Sequence, residues 1–193
     1  IDFFTVHPQA YWEWFAQENA REGVAPNAAH RFVADLERAG KLSAVVTQNI
    51  DGLHQRAGSE RVLELHGNWS RLICTGCGEH VTLDDVDGAR SGEVPRCPAC
   101  ASVLRPDIVF YGEMLDSDVI EGAVRAISEA DLLIVAGTSL IVYPAAGLID
   151  YYAGERLVLM NATPTPYDSR ADLIIREPVG QVFEELGRRS RRP

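Results

Sequence analysis

Apolar residues in the first half of the chain recur at helical spacing and then form a short continuous run. Pro8 and Asn27 are predicted to begin two helices, because apolar residues follow each of them at every third or fourth position. The apolar face of the first helix comprises Tyr11, Trp12, Trp14 and Phe15. Gly40 is a stop signal for the second helix, and a strand is predicted from Ser43. This order of helix, short loop and strand is typical of a crossover unit in a parallel sheet, so it predicts an α/β fold.

The second half of the chain continues the same alternation. The sheet pattern returns at 105–113, a short strand that leads into a glycine turn. A helix is predicted over 116–130, followed by the apolar run 131–136, which is expected to be a strand covered on both faces. Further strands are predicted over 156–160 and 173–175. Pro178 begins a last helix, which runs into Arg188, Arg189, Arg191 and Arg192, and these charges suit the negative end of a helix dipole.

Polar residues follow two predicted strands at the edge where ligands bind in open α/β sheets. Gln48, Asn49 and Asp51 come directly after the apolar run 44–46, and His66 follows a second short strand. A carboxylate, two amides and an imidazole are therefore expected to converge on one crevice. Taken alone, each residue is also compatible with a capped turn or a surface histidine. Their grouping favours a ligand site.

Small polar residues follow the apolar run 131–136. Gly137, Thr138 and Ser139 stand at its end, and Asn161 occupies the same place after the next predicted strand. Small residues allow the phosphate or ribose of a ligand to approach the backbone, and hydroxyl groups donate or accept hydrogen bonds. Glycine with small polar residues also ends many strands that bind nothing, so this signal is weak by itself.

The four cysteines form two Cys-x-x-Cys pairs that flank residues 78–96. The predicted metal ligands are Cys74, Cys77, Cys97 and Cys100. This spacing is typical of a two-knuckle zinc site, in which four thiolates complete a tetrahedron and leave no position open for water. We therefore expect one structural zinc ion. Disulfide bonds are the alternative, and a cytoplasmic location would disfavour them.

Composition narrows the class of protein. With 193 residues, of which 46% are hydrophobic, the chain can bury the core of one domain with a small appended module. The net charge is −10, and acidic residues recur inside the cysteine module at 84–87, so we expect no nucleic-acid partner. No apolar run approaches the roughly 20 residues of a membrane span, and no signal-peptide pattern opens the chain. No membrane partner and a cytoplasmic location are therefore expected.

Together these motifs resemble the sirtuins of bacterial type, which are NAD-dependent protein-lysine deacylases. The motifs are the segments 47–51, 65–67, 112–113, 137–139 and 143–146, together with the four cysteines and Asn161. The resemblance covers the chain nearly end to end. It implies a Rossmann-like parallel sheet with helices on both faces, formed by 1–70 and 104–193, and an inserted zinc-ribbon module over 71–103. It also implies a cleft that holds NAD and an acyl-lysine protein or peptide.

The resemblance also implies roles for individual residues. His66 matches the general base, and Asn49 is assigned to the catalytic centre with it. In the implied reaction the acyl oxygen of the substrate lysine displaces nicotinamide from NAD, and His66 takes a proton from a ribose hydroxyl. The implied cofactor contacts are Gln48, Asn49, Ile50, Asp51, Gly137, Thr138, Ser139, Asn161, Ala162, Thr163 and Val179. The implied peptide contacts, made mainly through the backbone, are Val109, Phe110, Tyr111, Gly112, Ile141 and Val142.

One sirtuin motif has no counterpart in this sequence. Sirtuins begin with a strand, a Gly-Ala-Gly loop and a Phe-Arg motif that cradle the NAD diphosphate, whereas the resemblance here begins at Ile1, just after that loop. We expect a shortened piece of a longer protein rather than a natural truncation, because loss of a central strand would expose an apolar sheet edge. The chain as written is expected to bind NAD weakly. The alternative functions are a noncatalytic NAD- or ADP-ribose-binding module and an ADP-ribosyltransferase, although His66 favours a deacylase.

The first aromatic helix predicts which acyl group is removed. Sirtuins specialised for acidic acyl groups carry Tyr-x-x-Arg there, whereas the aligned positions of this chain begin with Phe15 and end with Glu18. Glu18 would repel an acyl carboxylate, so removal of acetyl or other neutral groups is expected. A gap in the alignment would bring Arg21 toward the acyl group instead.

Overall fold

The helices and strands follow most of the predicted alternation. A computed structural model describes residues 1–19 and 24–190, so Arg21, Arg191 and Arg192 lie outside the described residues. The helices are α1 (Asp2–Val6), α2 (Pro8–Asn19), α3 (Ala28–Arg38), α4 (Leu53–Arg56), α5 (Ser117–Ser128) and α6 (Val179–Ser190). The strands are β1 (Val45–Thr47), β2 (Val62–Glu64), β3 (Gly67–Cys74), β4 (His80–Thr82), β5 (Leu104–Ile108), β6 (Leu133–Ala136), β7 (Leu157–Met160) and β8 (Leu173–Ile175).

The chain divides into two units that each have their own sheets. The first unit comprises Ile1–Ala25, Asn49–Gly52 and His66–Leu115. The second unit comprises Pro26–Gln48, Leu53–Leu65 and Asp116–Pro193. The boundaries of the zinc module at 71 and 103 stay a prediction.

Two parallel sheets organise the second unit. β1 pairs with β2, and β6, β7 and β8 form the other sheet in that order. The predicted α/β class with parallel strands is therefore confirmed. The buried core of this unit includes Leu65, Ala123 and Ile127 of α5, Ile149 and Leu159.

Side-chain caps begin two of the helices in the second unit, and the sequence predicts a helix start at each of these two positions. Asn27 Oδ1 accepts hydrogen bonds from the backbone N–H groups of Ala29 (2.9 Å) and His30 (3.3 Å) at the start of α3. Asp116 Oδ1 does the same for the second and third residues of α5. These caps satisfy backbone donors that have no partner within a helix.

One face of β6 is less covered than predicted. Ile134 and Ala136 are exposed, whereas Leu133 and Val135 are half-buried and pack against the core. The expectation of a strand covered on both faces is therefore wrong for β6. Within the described part of the chain β6 lies at the edge of its sheet, where it pairs with β7.

An antiparallel sheet in the order β4-β3-β5 organises the first unit. The predicted strand at 105–113 corresponds to β5, which leads into a turn at Gly112. It joins this antiparallel sheet, because β3, a strand that the sequence analysis did not predict, lies beside it with Gly67 opposite Ile108.

Aromatic side chains of α2 form the core of the first unit. Tyr11, Trp12 and Phe15 are buried in one cluster with Leu72 of β3 and Leu104 of β5. Trp14 is exposed, so it lies outside this core although the spacing places it on the same apolar face. Successive residues of an α-helix are rotated by about 100° about the helix axis, so Trp14 points away from the side of α2 that faces this core. No described helix combines the length and the apolar character that crossing a membrane requires.

Candidate active site and metal centre

The loop 49–52 is held against the start of β3 in the first unit. The Trp69 backbone N–H donates a hydrogen bond to the Ile50 carbonyl (3.1 Å). Gly52 has φ +65°, and a Cβ atom there would lie 3.2 Å from Nδ2 of the buried Asn68. The Asn68 carbonyl oxygen Oδ1 in turn accepts from the Ser70 backbone N–H (2.9 Å) and hydroxyl (2.7 Å). The loop that carries Asn49, Ile50 and Asp51 is therefore anchored to the first residues of β3, which directly follow His66 in the sequence.

His66 lies directly beside the predicted peptide-binding segment. The Val109 backbone N–H donates to the His66 carbonyl (3.0 Å). The next residue, Gly67, has φ +76°, and a Cβ atom there would stand 2.1 Å from the carbonyl oxygen of Asp107. Only glycine permits so close an approach of the two backbones. The first unit therefore brings His66 and residues 109–112 together.

The second unit gathers other predicted cofactor contacts at the carboxyl ends of its strands. Gly137 follows β6 with φ +68°, and its N–H donates to the Met160 carbonyl at the end of β7 (2.8 Å). The Asn161 N–H donates to the Ile175 carbonyl at the end of β8 (3.1 Å). Gln48 follows β1, and Val179 is the first residue of α6. Thr138, Ser139, Ala162 and Thr163 continue the two strand-end loops.

These groups fit a nucleotide. The carboxyl edge of a parallel sheet is where open α/β folds bind ligands. A Cβ atom at Gly137 would meet no atom within 4 Å, so the backbone is accessible there. The Thr138 Oγ1 atom accepts from the Leu140 N–H (3.2 Å) and so fixes this loop locally. The roles assigned to these residues stay predictions.

Arg176 is a candidate site residue that the sequence analysis missed. Its Nη1 donates to the carbonyl oxygens of Asn161 (3.0 Å) and Thr163 (2.9 Å), and its Nη2 pairs with Asp168. A hydrogen bond from the Thr165 hydroxyl, together with Arg176, holds the pKa of Asp168 below its usual value. Arg176 thus supports the loop that carries Asn161, Ala162 and Thr163. The available signal was a basic residue directly after an apolar strand.

The predicted peptide contacts in the second unit lie on an exposed loop. Ile141 and Val142 are both exposed, and they follow the buried Leu140, whose φ is +55°. The Tyr143 hydroxyl lies 3.4 Å from the Tyr167 hydroxyl. Two exposed apolar side chains are thus available to a ligand on this loop.

The four cysteine sulfur atoms form one cluster. All lie within 4.8 Å of one another, and the Cys74–Cys100 and Cys77–Cys97 sulfur distances are 3.4 and 3.7 Å. A disulfide bond is only about 2.05 Å long, so these contacts are not disulfides. Four thiolates at about 2.3 Å from zinc in a tetrahedron would be separated by roughly 3.8 Å. The geometry therefore fits zinc, and the disulfide alternative is wrong for this structure.

Neighbouring groups favour the thiolate form at two of these cysteines. The backbone N–H groups of Cys77 (3.4 Å) and Gly76 (3.3 Å) donate to Cys74 Sγ and lower the pKa of that thiol. A hydrogen bond from the Ser102 hydroxyl is the main cause that lowers the pKa of Cys100 to about 6. At Cys77 the Glu79 backbone N–H lowers the pKa, but the Cys74 and Cys100 side chains outweigh it and raise the pKa to about 12. Thiolate, the form that binds metal, is thus favoured at Cys74 and Cys100.

Comparison with known proteins agrees with this fold. The family model described as "Sir2 family" matches residues 1–144. The NAD-dependent protein deacetylase of Clostridium acetobutylicum is 48% identical over 184 residues, which is 95% of this chain and 75% of the relative. A solved "Sir2-p53 peptide-NAD+" structure is 41% identical with a TM-score of 0.85, covering 98% of this chain and 80% of the other. "Sir2Tm bound to a propionylated peptide" gives the same identity and TM-score, with coverages of 98% and 81%.

The chain belongs to the Sir2 family. The sirtuin resemblance inferred from its motifs is therefore confirmed.

Proposed function

We propose that this protein uses NAD to remove acetyl and other neutral acyl groups from lysine side chains of proteins, releasing nicotinamide and O-acyl-ADP-ribose. The observation that carries the proposal is the backbone contact between His66 and Val109, which joins a candidate base to a candidate peptide segment. Relatives named NAD-dependent protein deacetylases and solved complexes with peptide and NAD+ support the same reaction.

His66 acts in this proposal as the base. NAD supplies an anomeric carbon with nicotinamide as its leaving group. His66 accepts a proton from a ribose hydroxyl, and histidine suits this task because its charge changes near neutral pH. Asn49 and Asp51, on the loop fixed against β3, orient the nicotinamide ribose and the carboxamide, and Ile50 of the same loop and Gln48 at the end of β1 are further proposed cofactor contacts. Gly137, Thr138, Ser139 and the loop 161–163, with Val179, hold the phosphate and adenosine groups.

Residues 109–112 of the first unit bind the acyl-lysine peptide in this proposal, and the roles of Ile141 and Val142 in the second unit stay predictions. An extended peptide that adds to a strand obtains much of its affinity from backbone hydrogen bonds. Side chains that flank the acyl-lysine are then expected to have modest effects on binding.

Mass spectrometry of an acetyl-lysine peptide incubated with the protein tests the proposal. The expected products with NAD are the peptide without its acetyl group and O-acetyl-ADP-ribose. The reaction without NAD is the control and should leave the peptide unchanged. Nicotinamide release with ADP-ribose attached to the peptide would instead establish an ADP-ribosyltransferase, and binding of NAD without any turnover would establish a noncatalytic module.

The protein is expected to prefer neutral acyl groups to acidic ones. Acetyl-lysine is expected to be processed at least about 100-fold more efficiently than succinyl-lysine, since placing like charges together costs several kcal/mol. Phe15 is buried between aromatic neighbours, 4.9 Å from the Trp12 ring and 6.2 Å from the Trp69 ring, whereas the acidic Glu18, one turn further along α2, is only half-buried. Comparing kcat/KM for the two acylated forms of one peptide measures this preference.

A Glu18→Gln variant tests whether the negative charge of Glu18 causes this preference. It should raise the succinyl reaction and leave the acetyl reaction nearly unchanged. Equal or better removal of succinyl by the unmodified protein would show that the acyl pocket has been misread.

Arg176 is predicted to affect the KM for NAD but not the KM for the peptide. Replacing it with methionine removes hydrogen bonds to two carbonyl groups of the loop 161–163, so KM for NAD should rise by about tenfold. The matched control is Arg170→Met, because the side-chain contacts of Arg170 among the described residues are an exposed ion pair with Asp150 and the Tyr167 ring, neither of which is a predicted cofactor residue. An unchanged KM for NAD in Arg176→Met would contradict the assigned role.

We also propose a cytoplasmic location. It is supported by four cysteines that are free of disulfide bonds, a state that is typical of reducing compartments. Fractionation of the source cells tests it, and recovery of the protein outside the cytoplasmic fraction would refute it.

A further inference from the structure

A bidentate ion pair binds the backbone of the predicted peptide-binding segment in the first unit. Arg105 of β5 and Glu113, just after the Gly112 turn, are joined by two hydrogen bonds: Nη1 to Oε1 (2.6 Å) and Nη2 to Oε2 (2.7 Å). The two side chains are only 18% and 26% exposed. Charged groups in this fork geometry form short and strong hydrogen bonds, and lysine cannot reproduce them.

The same two side chains bind the backbone between them. Arg105 Nη2 donates to the Ile108 carbonyl (2.9 Å), and Glu113 Oε2 accepts from the Phe110 N–H (2.9 Å). The guanidinium group also lies 4.9 Å from the centroid of the Phe110 ring. The ion pair therefore contacts backbone or ring atoms on both sides of Val109, the residue whose N–H binds the His66 carbonyl.

Backbone hydrogen bonds and the Phe110 ring also contribute to the shape of the turn. The Glu113 N–H donates to the Phe110 carbonyl (3.0 Å), the Ile1 amino group donates to the Tyr111 carbonyl (3.1 Å), and the Phe110 ring packs against Phe4 and Tyr11. The Arg105–Glu113 pair is the contact that links the two ends of this turn through side chains, and Gly112 at the turn has φ +92°. Tyr111 at its tip is 95% exposed. A short segment with an exposed tip loses much conformational entropy when it binds a peptide, unless it is already ordered.

We propose that the Arg105–Glu113 pair is a positioning device that holds residues 109–112 in the shape that binds the substrate peptide. This inference rests on the proposed function. It makes Arg105 and Glu113 determinants of peptide affinity, although neither side chain is required to touch the peptide. The hydrogen bonds from Arg105 hold the pKa of Glu113 below its usual value, so the carboxylate is ionised at neutral pH and the pair is intact under assay conditions.

The experiment compares Arg105→Lys with Arg90→Lys. Arg90 lies in the same unit and pairs with Asp84, but the two side chains are 59% and 72% exposed, and exposed pairs contribute little to stability. Arg105→Lys is expected to raise KM for an acetyl-lysine peptide by about tenfold and to leave KM for NAD within about twofold. Arg90→Lys should change neither value. An unchanged peptide KM, or an equal rise in both KM values for Arg105→Lys, would overturn the proposal.

Glu113→Gln provides a second variant that nearly preserves the shape of the side chain. It should also raise the peptide KM selectively, and it keeps the test decisive if Arg105→Lys does not fold. Backbone amide exchange of the unliganded protein gives a readout that does not depend on turnover. The N–H groups of Phe110 and Glu113 should exchange faster in either folded variant than in Arg90→Lys.

These readouts separate the inference from the proposed function. Absence of deacylation and peptide binding in the unmodified protein would refute the proposed function and, with it, the peptide role of the pair. Unchanged amide exchange in both folded variants would refute the positioning device alone.

Discussion

Replacing His66 by alanine is expected to lower the rate of deacylation by about 10²- to 10⁴-fold, the usual contribution of a general base. The fold should be preserved, because His66 binds Val109 through its backbone carbonyl, which alanine retains. The loss should appear in kcat, since the imidazole acts on a proton during the reaction. Steady-state deacylation of one acetyl-lysine peptide by the two proteins measures this effect.

His80→Ala is the control for this experiment. His80 is an exposed histidine on β4 of the same unit, so its replacement removes an imidazole without touching the candidate site. It should leave kcat unchanged. A His66→Ala protein that retains full activity would exclude His66 as the base.

Replacing Cys97 by serine is expected to abolish zinc binding and to lower the melting temperature by more than about 10 °C. The binding energy of a structural zinc site is folding energy, with apparent values of about 10–16 kcal/mol in small zinc peptides. Cys97 is buried, and its sulfur lies 3.7 Å from Cys77 Sγ, so the variant leaves three sulfur ligands in a site built for four. Metal analysis of the unmodified protein should find about one zinc ion per chain.

Glu79→Gln is the control for the zinc experiment. Glu79 is exposed beside the first knuckle. Its backbone carbonyl accepts from the Cys74 N–H (2.8 Å) and its backbone N–H donates to the Cys77 sulfur, and the substitution leaves both backbone contacts in place. Its zinc content and melting temperature should match those of the unmodified protein. If Cys97→Ser or a strong chelator leaves the melting temperature unchanged, the cluster is not a structural zinc site.

Local signals were sufficient to predict much of the fold. The Asn27 and Asp116 caps bind N–H groups two and three residues further along, so their effect is contained in a few letters of sequence. The pairing of β3 with β5 was not predictable in the same way. It joins residues that are far apart in the chain, and β3 contains polar residues at Asn68, Ser70 and Arg71 that interrupt an apolar run.

The candidate site was also predictable only in part. The spacing of the cysteines predicted their cluster, because two knuckles are each defined by four consecutive residues. The contacts of Arg176 leave no such pattern, since two of its three partners are backbone carbonyl groups, which every residue carries. The ion pair between Arg105 and Glu113 was not predicted, although both residues lie in the predicted segment 105–113. A sequence does not show which side chains of a turn bind each other.

The close approach at Gly67 has a consequence for altering the acyl preference of this protein. Because the backbone of Gly67 lies against the carbonyl of Asp107, the spacing between the candidate base and the segment beginning at Val109 is defined by main-chain atoms. A side-chain substitution, for example at Glu18, leaves these main-chain atoms of Gly67 and Asp107 in place. Engineering that reshapes the acyl pocket through such side chains can therefore proceed separately from the alignment of base and substrate, whereas position 67 itself offers no room for diversification.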